Sequence, residues 1–233
     1  MRTVRDLSVG VSCGGRVSYS PDGSLLAMGD ALLDARTGAK RATLPGQSFE
    51  FSSDGKQLAT AGGDRGQITV VHTSGKASSE LRATWDGFSA LSVSPSGKLL
   101  LSASRLFGWS ELQLWDIASQ QELLKLGEGT DAAFLRNEAA LLVVADGAIR
   151  FHAVDGHRLA SLFALYGKDA GYAFSGDEPP FVELIGSDPA TARAALGCRL
   201  GEAMYPFEVC SDSYEAAGIV SKAATGASYQ DEP

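Results

Sequence analysis

The chain has 233 residues, 44% of them hydrophobic and 21% charged, which is ordinary globular composition with enough length to bury a sizeable core. Its net charge of −8 and the lack of any basic run exclude a surface built to grip a phosphate backbone, since such binding draws on clustered Lys and Arg. Three cysteines, Cys13, Cys198 and Cys210, are too few and too scattered for a disulfide framework, and none forms a Cys-x-x-Cys metal pair.

The stretch "LSVGVSC" behind Arg2 and Arg5 is shorter and more polar than a signal-peptide core, and no run approaches bilayer-spanning length. The expectation is a cytoplasmic protein that meets neither membrane nor nucleic acid. Thr3 to Ser12 alternates well enough to form a strand.

One phrase then recurs: "SYSPDGSLLAMGD" at 18–30, "EFSSDGKQLATAGGD" at 50–64 and "SVSPSGKLLLSAS" at 92–104, with an eroded fourth copy, "FLRNEAALLVVAD", at 134–146. Repeats tens of residues apart mark an array of one supersecondary unit. Within each copy a short strand leads to a Ser-x-x-Gly turn and a second strand rich in Leu, Val and Ala. Pro at the second position presets φ and Gly relieves the crowded exit, so each copy is a hairpin, and the three turns belong on one face.

A third strand follows each hairpin, ending in Leu33-Asp34, Val71-His72, Trp115-Asp116 or Phe151-His152 before another turn. "KRATL", "SSELRATW", "QELLKLG" and "RLASLFALY" supply the fourth strands. Four antiparallel strands per unit make a β-propeller blade, giving blades near 15–45, 47–84, 87–127 and 129–166.

With "LQLWDIASQQELLKL" at 112–126, the Ser-Pro-Asp-Gly turns and the repeat period, the chain resembles the WD-repeat family over about residues 15 to 166. Only Trp115-Asp116 is a true Trp-Asp pair, and no blade opens with the family's Gly-His dipeptide. The family's His, Ser and Trp hydrogen-bond network is therefore expected to be mostly missing. The resemblance implies an all-β fold, a propeller of four recognisable blades, with protein binding as its role.

Four blades leave edges to be covered. "DAGYAFS" and "PPFVELIG", paired with Thr3 to Ser12, are expected to make an irregular fifth unit, so that residues 1–186 form the propeller. Residues 187–233 then form an extension with short helices, packed on the propeller or docking to a partner. Asp188-Pro189 reads as a cap and first-turn proline for a helix stopped at Gly197, and Asp212 with Glu215 as a capping-box start to one helix ending at Gly226. "SYQDEP" at the end is expected to be loose.

No reactive constellation emerges. His72 and His152 occupy the same repeat position in different blades and do not converge, and His157 lies in a turn. "GGDRG" at 62–66 lacks the strand, helix and lysine of a phosphate loop. The expectation is a non-catalytic scaffold without cofactor or metal, working in a hetero-complex or homo-oligomer. Its partner-binding rim consists of Trp85, Leu106, Phe107, Trp109 and Tyr166, because the apolar insert "RLFGWSE" at 105–111 lies in a connection sharing a face with the inter-blade loops. The alternative is a small-ligand receptor or enzyme whose polar groups Asp30, Asp64, Arg65 and Asp146 meet at the propeller axis.

Overall fold

The computed structural model describes residues 17–62, 66–74, 77–84, 87–107, 109–165, 167–176, 180–200, 203–207 and 211–229. The expected strand at Thr3 to Ser12 lies outside them. The chain divides into two compact units, 1–134 and 135–233; the 186/187 boundary expected from composition falls inside the second.

Among the described residues the first unit holds three four-stranded antiparallel sheets, each a simple meander in which sequence neighbours pair. The first is β1 (Val17–Tyr19), β2 (Leu25–Met28), β3 (Ala31–Asp34) and β4 (Lys40–Thr43). The second is β5 (Ser48–Phe51), β6 (Gln57–Ala61), β7 (Gln67–His72) and β8 (Ala77–Arg82). The third is β9 (Gly87–Val93), β10 (Leu99–Leu106), β11 (Trp109–Asp116) and β12 (Gln121–Gly127), after which β13 (Asp131–Phe134) packs beside β9. First strands pack on first strands, β1 on β5 and β5 on β9.

Sheet faces close on one another through apolar side chains. Leu32, Leu44, Phe49, Phe51 and Leu58 fill the space between the first two sheets, and Ile68, Val70, Leu81, Leu91, Leu100 and Trp115 that between the second and third. Each fully buried leucine contributes roughly 1.5–3 kcal/mol of transfer free energy.

The repeated turn is built identically in its three full copies. Gly23, Gly55 and Gly97 each donate to the carbonyl of the serine three residues earlier, at 2.8 Å, with φ of 69°, 70° and 72°. The hydroxyls of Ser20, Ser52 and Ser94 accept the N–H of the residue five positions on, at 2.9, 2.9 and 3.1 Å. The Ser53 hydroxyl donates to the Pro95 carbonyl, so neighbouring turns lie side by side, as expected. The eroded copy keeps the turn without its chemistry: Glu138 takes the glycine's place at φ 56° and donates to Leu135, which has no hydroxyl to offer.

In the second unit β14 (Leu141–Ala145), β15 (Ala148–His152), β16 (Arg158–Ala164), β17 (Ala170–Ser175) and β18 (Val182–Gly186) follow as consecutive antiparallel neighbours. This corrects the irregular fifth unit expected over 169–186. A tight turn in which Leu165 N–H donates to Ala170 and Lys168 N–H to Leu165 returns the chain directly onto the open edge of β16. An unpaired edge is thereby satisfied locally.

The C-terminal extension covers both faces of that sheet. On one face Ile219 and Ala223 of α3 (Ile219–Ala223) are buried among Phe151, Leu159, Ala160 and Ala173. On the other, Leu196, Phe207 and Tyr214 pack on Tyr172, Phe174, Val182 and Leu184. Before them come α1 (Pro189–Ala194), the hairpin of β19 (Gly197–Leu200) and β20 (Ala203–Pro206), and α2 (Ser211–Tyr214).

Helix α1 starts as expected, Asp188 accepting Thr191 N–H at 3.1 Å. The single helix expected from Asp212 to Gly226 is instead broken into α2 and α3. Gly218, at φ 84°, turns the chain between them, and Glu215 bridges to the edge of β18 while its carboxylate holds the Arg193 guanidinium at 2.7 and 2.8 Å. The carboxylate of Glu183 accepts from both Gly218 N–H and Val220 N–H at 3.0 Å, capping α3 from the sheet. Tyr229, expected to be loose, lies against Phe181 with the ring centroids 5.1 Å apart and the planes tilted by 48°, and its carbonyl accepts from Lys222; residues 230–233 lie outside the described ones.

Candidate functional site

The third sheet carries the longest hairpin. Where an apolar insert in the connection between strands was expected at 105–111, β10 and β11 continue eight residues each in unbroken register to a last pair, Leu106 with Trp109. Alternating Leu, Ser, Ala and Leu, Gln, Leu residues sustain the ladder, so the insert extends both strands instead of looping out. Phe107 stands at the tip, 95% exposed and in left-handed backbone at φ 48°.

The hairpin's shaft is held by polar groups that sequence reasoning missed. Glu111 accepts from the Thr84 hydroxyl and from Lys125 Nζ at 3.0 and 3.1 Å. The Gln113 carbonyl oxygen accepts Thr84 N–H at 3.0 Å, and its amide donates to Glu122. Glu111 holds the Lys125 ammonium above its ordinary range. Ser110 Oγ accepts Gly129 N–H at 3.2 Å. The signal lay in the period-two spacing of Glu111 and Gln113 on one face, with Glu122 and Lys125 on the adjoining strand.

Of the expected rim, the structure brings Leu106, Phe107 and Trp109 to one hairpin end, Leu106 and Trp109 being placed by backbone pairing. Trp85 and Tyr166 lie outside the described residues.

The polar alternative is not assembled among the described residues. Asp30 pairs with Lys40 at 3.4 Å in the first unit, and Asp146 with Arg150 at 2.6 Å in the second, both at the surface. Asp64 and Arg65 lie outside the described residues. His72 is exposed at the end of β7. His152 Nδ1 lies 3.0 Å from the Gly156 carbonyl, and burial lowers its pKa. His157 meets Asp155 at 2.6 Å in its turn. Among the described residues no three His, Cys, Asp or Glu side chains gather as a metal set, and no helix is long and apolar enough to cross a membrane. Cys198 lies in β19; Cys13 and Cys210 are outside the described residues.

One fragment of the network that the repeats lack is intact: Trp115, 4% exposed, donates Nε1–H to the buried Ser102 hydroxyl at 3.0 Å. In the second sheet the same ladder positions hold Val71 and Thr60, since Leu100 faces Trp115 as Leu58 faces Val71. With no indole to serve it, the Thr60 hydroxyl is buried and unpartnered.

No protein-family model matches the sequence, and no curated protein matches it. Shape is shared more widely: 674 solved chains match, and a fold of that breadth does not select a chemistry. One of them, the hydrazine synthase of Kuenenia stuttgartiensis, superposes with a TM-score of 0.51 at 14% identity over 80% of this chain and 70% of that one. At that identity the likeness concerns the fold alone. The expectation of a non-catalytic chain is corrected to this extent: a chain of similar fold belongs to an enzyme, and the likeness shows this chain neither to be an enzyme nor not to be one.

Proposed function

We propose that the chain is a WD-repeat-like β-propeller module that binds a protein partner, as a cytoplasmic subunit of a larger complex, through the tip of the β10–β11 hairpin. The observation that carries this reading is Phe107, held out in solvent by left-handed backbone at the end of a shaft clamped by Glu111, Gln113 and Lys125. An aromatic ring on a pre-ordered tip loses little entropy on contact, and aromatic anchors dominate measured interface energies. The stacking of first strand on first strand in the first unit agrees with a radial array of blades.

The test is comparative capture from the host lysate, with quantitative mass spectrometry, by the wild type and by the Phe107→Ala and Phe107→Ala/Trp109→Ala variants. Loss of a major partner, with affinity reduced by at least about 2 kcal/mol and an unchanged melting temperature, is the expected result. Light scattering of the same samples separates a hetero-complex from self-association. A folded Phe107→Ala variant that retains every partner places the contact surface elsewhere.

A further inference from the structure

The second unit holds a cavity that gathers hydrogen-bond donors beside a pair of aromatic rings. It measures about 380 Å³, and its lining includes Arg158, Ser161, Phe163, Phe174, Ser175 and Gly176. Pairing of Ser161 with Phe174 and of Phe163 with Tyr172 sets Ser161, Phe163 and Phe174 on one face of β16 and β17. Phe163 stacks on Tyr172 with centroids 5.4 Å apart and meets Phe174 edge-on at 6.1 Å, so the rings hold one another in place. Gly176 N–H donates to the Leu159 carbonyl at 2.8 Å, and a Cβ there would lie 1.7 Å from the Arg158 carbonyl oxygen. Glycine permits that approach, which draws the end of β17, with Ser175, onto the start of β16, with Arg158.

The polar groups of this cavity are unspent. Ser161 is 6% exposed, and its hydroxyl forms no hydrogen bond among the described residues. Thr60 Oγ1 and Ser104 Oγ are sealed within the protein without a partner, whereas Ser161 borders open space in which a partner can sit. Ser175 accepts Phe181 N–H at 2.9 Å and keeps its own O–H to donate. Arg158 is exposed at the mouth and forms no ion pair among the described residues. No carboxylate side chain stands among the lining residues. A guanidinium and two hydroxyls facing one space, with no acid to satisfy them, select an oxyanion; the planar guanidinium fork matches a carboxylate in particular.

We propose that this cavity binds a small aromatic carboxylate, its oxygens held by Arg158, Ser161 and Ser175 and its ring packed against Phe163 and Phe174. The volume lies at the small end of ligand sites, which suits a molecule with one ring. The rings add offset-stacked or edge-to-face contacts that an inorganic anion cannot use.

The experiment titrates the full-length protein by calorimetry, with the Phe163 and Phe174 ring resonances followed in parallel, using benzoate, its neutral amide benzamide, acetate and inorganic phosphate as probes. Benzoate is expected to bind saturably with shifts at both rings, and benzamide and acetate at least about tenfold more weakly, the first lacking the charge and the second the ring. Arg158→Gln, at an exposed position, should remove the preference for benzoate over benzamide at an unchanged melting temperature. Ser161→Ala should weaken benzoate about threefold to tenfold. The proposal is overturned by absence of saturable shifts at these rings, by equal binding of benzoate and benzamide, by a folded Arg158→Gln protein that keeps the preference, or by undiminished benzoate binding in Ser161→Ala. Tighter binding of phosphate than of benzoate overturns it in favour of a plain anion site, and tighter binding of a short peptide ending in phenylalanine overturns it in favour of a chain terminus.

Discussion

The recurring turn offers a test in which the same backbone position is perturbed in opposite directions. Gly23 and Glu138 both sit in left-handed backbone, at φ 69° and 56°. A Cβ added at Gly23 meets no heavy atom within 4 Å, so Gly23→Ala carries a conformational penalty and no steric one. For an L-residue that penalty is about 1–2 kcal/mol, offset by about 0.4–1 kcal/mol because alanine restricts the unfolded chain. Net destabilisation of about 0.5–1 kcal/mol is expected. Glu138→Gly reverses both contributions and should stabilise by a similar amount, equivalent to a rise of about 1–4 °C in melting temperature for a chain of this size. Urea titrations followed by circular dichroism, with the slope checked for constancy, measure both. If both substitutions are neutral or share a sign, the equivalence of the fourth turn with the first is refuted.

Three further outcomes follow from the geometry. Trp115→Phe should cost about 1–3 kcal/mol because it strands the buried Ser102 hydroxyl, and adding Ser102→Ala should recover part of the loss in a double-mutant cycle read by urea unfolding. Glu183→Ala removes the carboxylate that caps α3, so amide exchange at Val220 to Ala223 should accelerate, with a local cost of about 1 kcal/mol, while β15 and β16 stay protected. Asp22 is held down from 3.8 to about 2, first by the Ser20 hydroxyl and then by the N–H and hydroxyl of Ser24. A depressed carboxylate stabilises the fold above its unfolded pKa, and that contribution is lost as pH falls from about 4 through about 2. Asp22→Asn should therefore flatten the acid limb of a melting-temperature profile in that window; an unchanged limb contradicts the assignment.

The sequence by itself determined the strands and their local order. Ser-x-x-Gly spacing sets a hairpin wherever it occurs, because the serine hydroxyl, the reversed backbone and the glycine all act within six residues, and the three full copies form as the spacing predicts. Phe107 was legible as part of the apolar insert at 105–111, again from local sequence alone. Tertiary structure decided what depends on partners distant in the chain. Residues 169–186 joined the edge of β16 instead of forming a separate unit, since the nearest open ladder satisfies their backbone first. The helix expected from 212 to 226 broke because Glu215 gains a guanidinium and a strand edge that a local pattern does not reveal. The cavity of about 240 Å³ lined by Leu32, Leu44 and Val71 is likewise invisible in one dimension: a valine in a strand is unexceptional until the register sets it opposite Leu58 and the neighbouring sheet leaves space beside it.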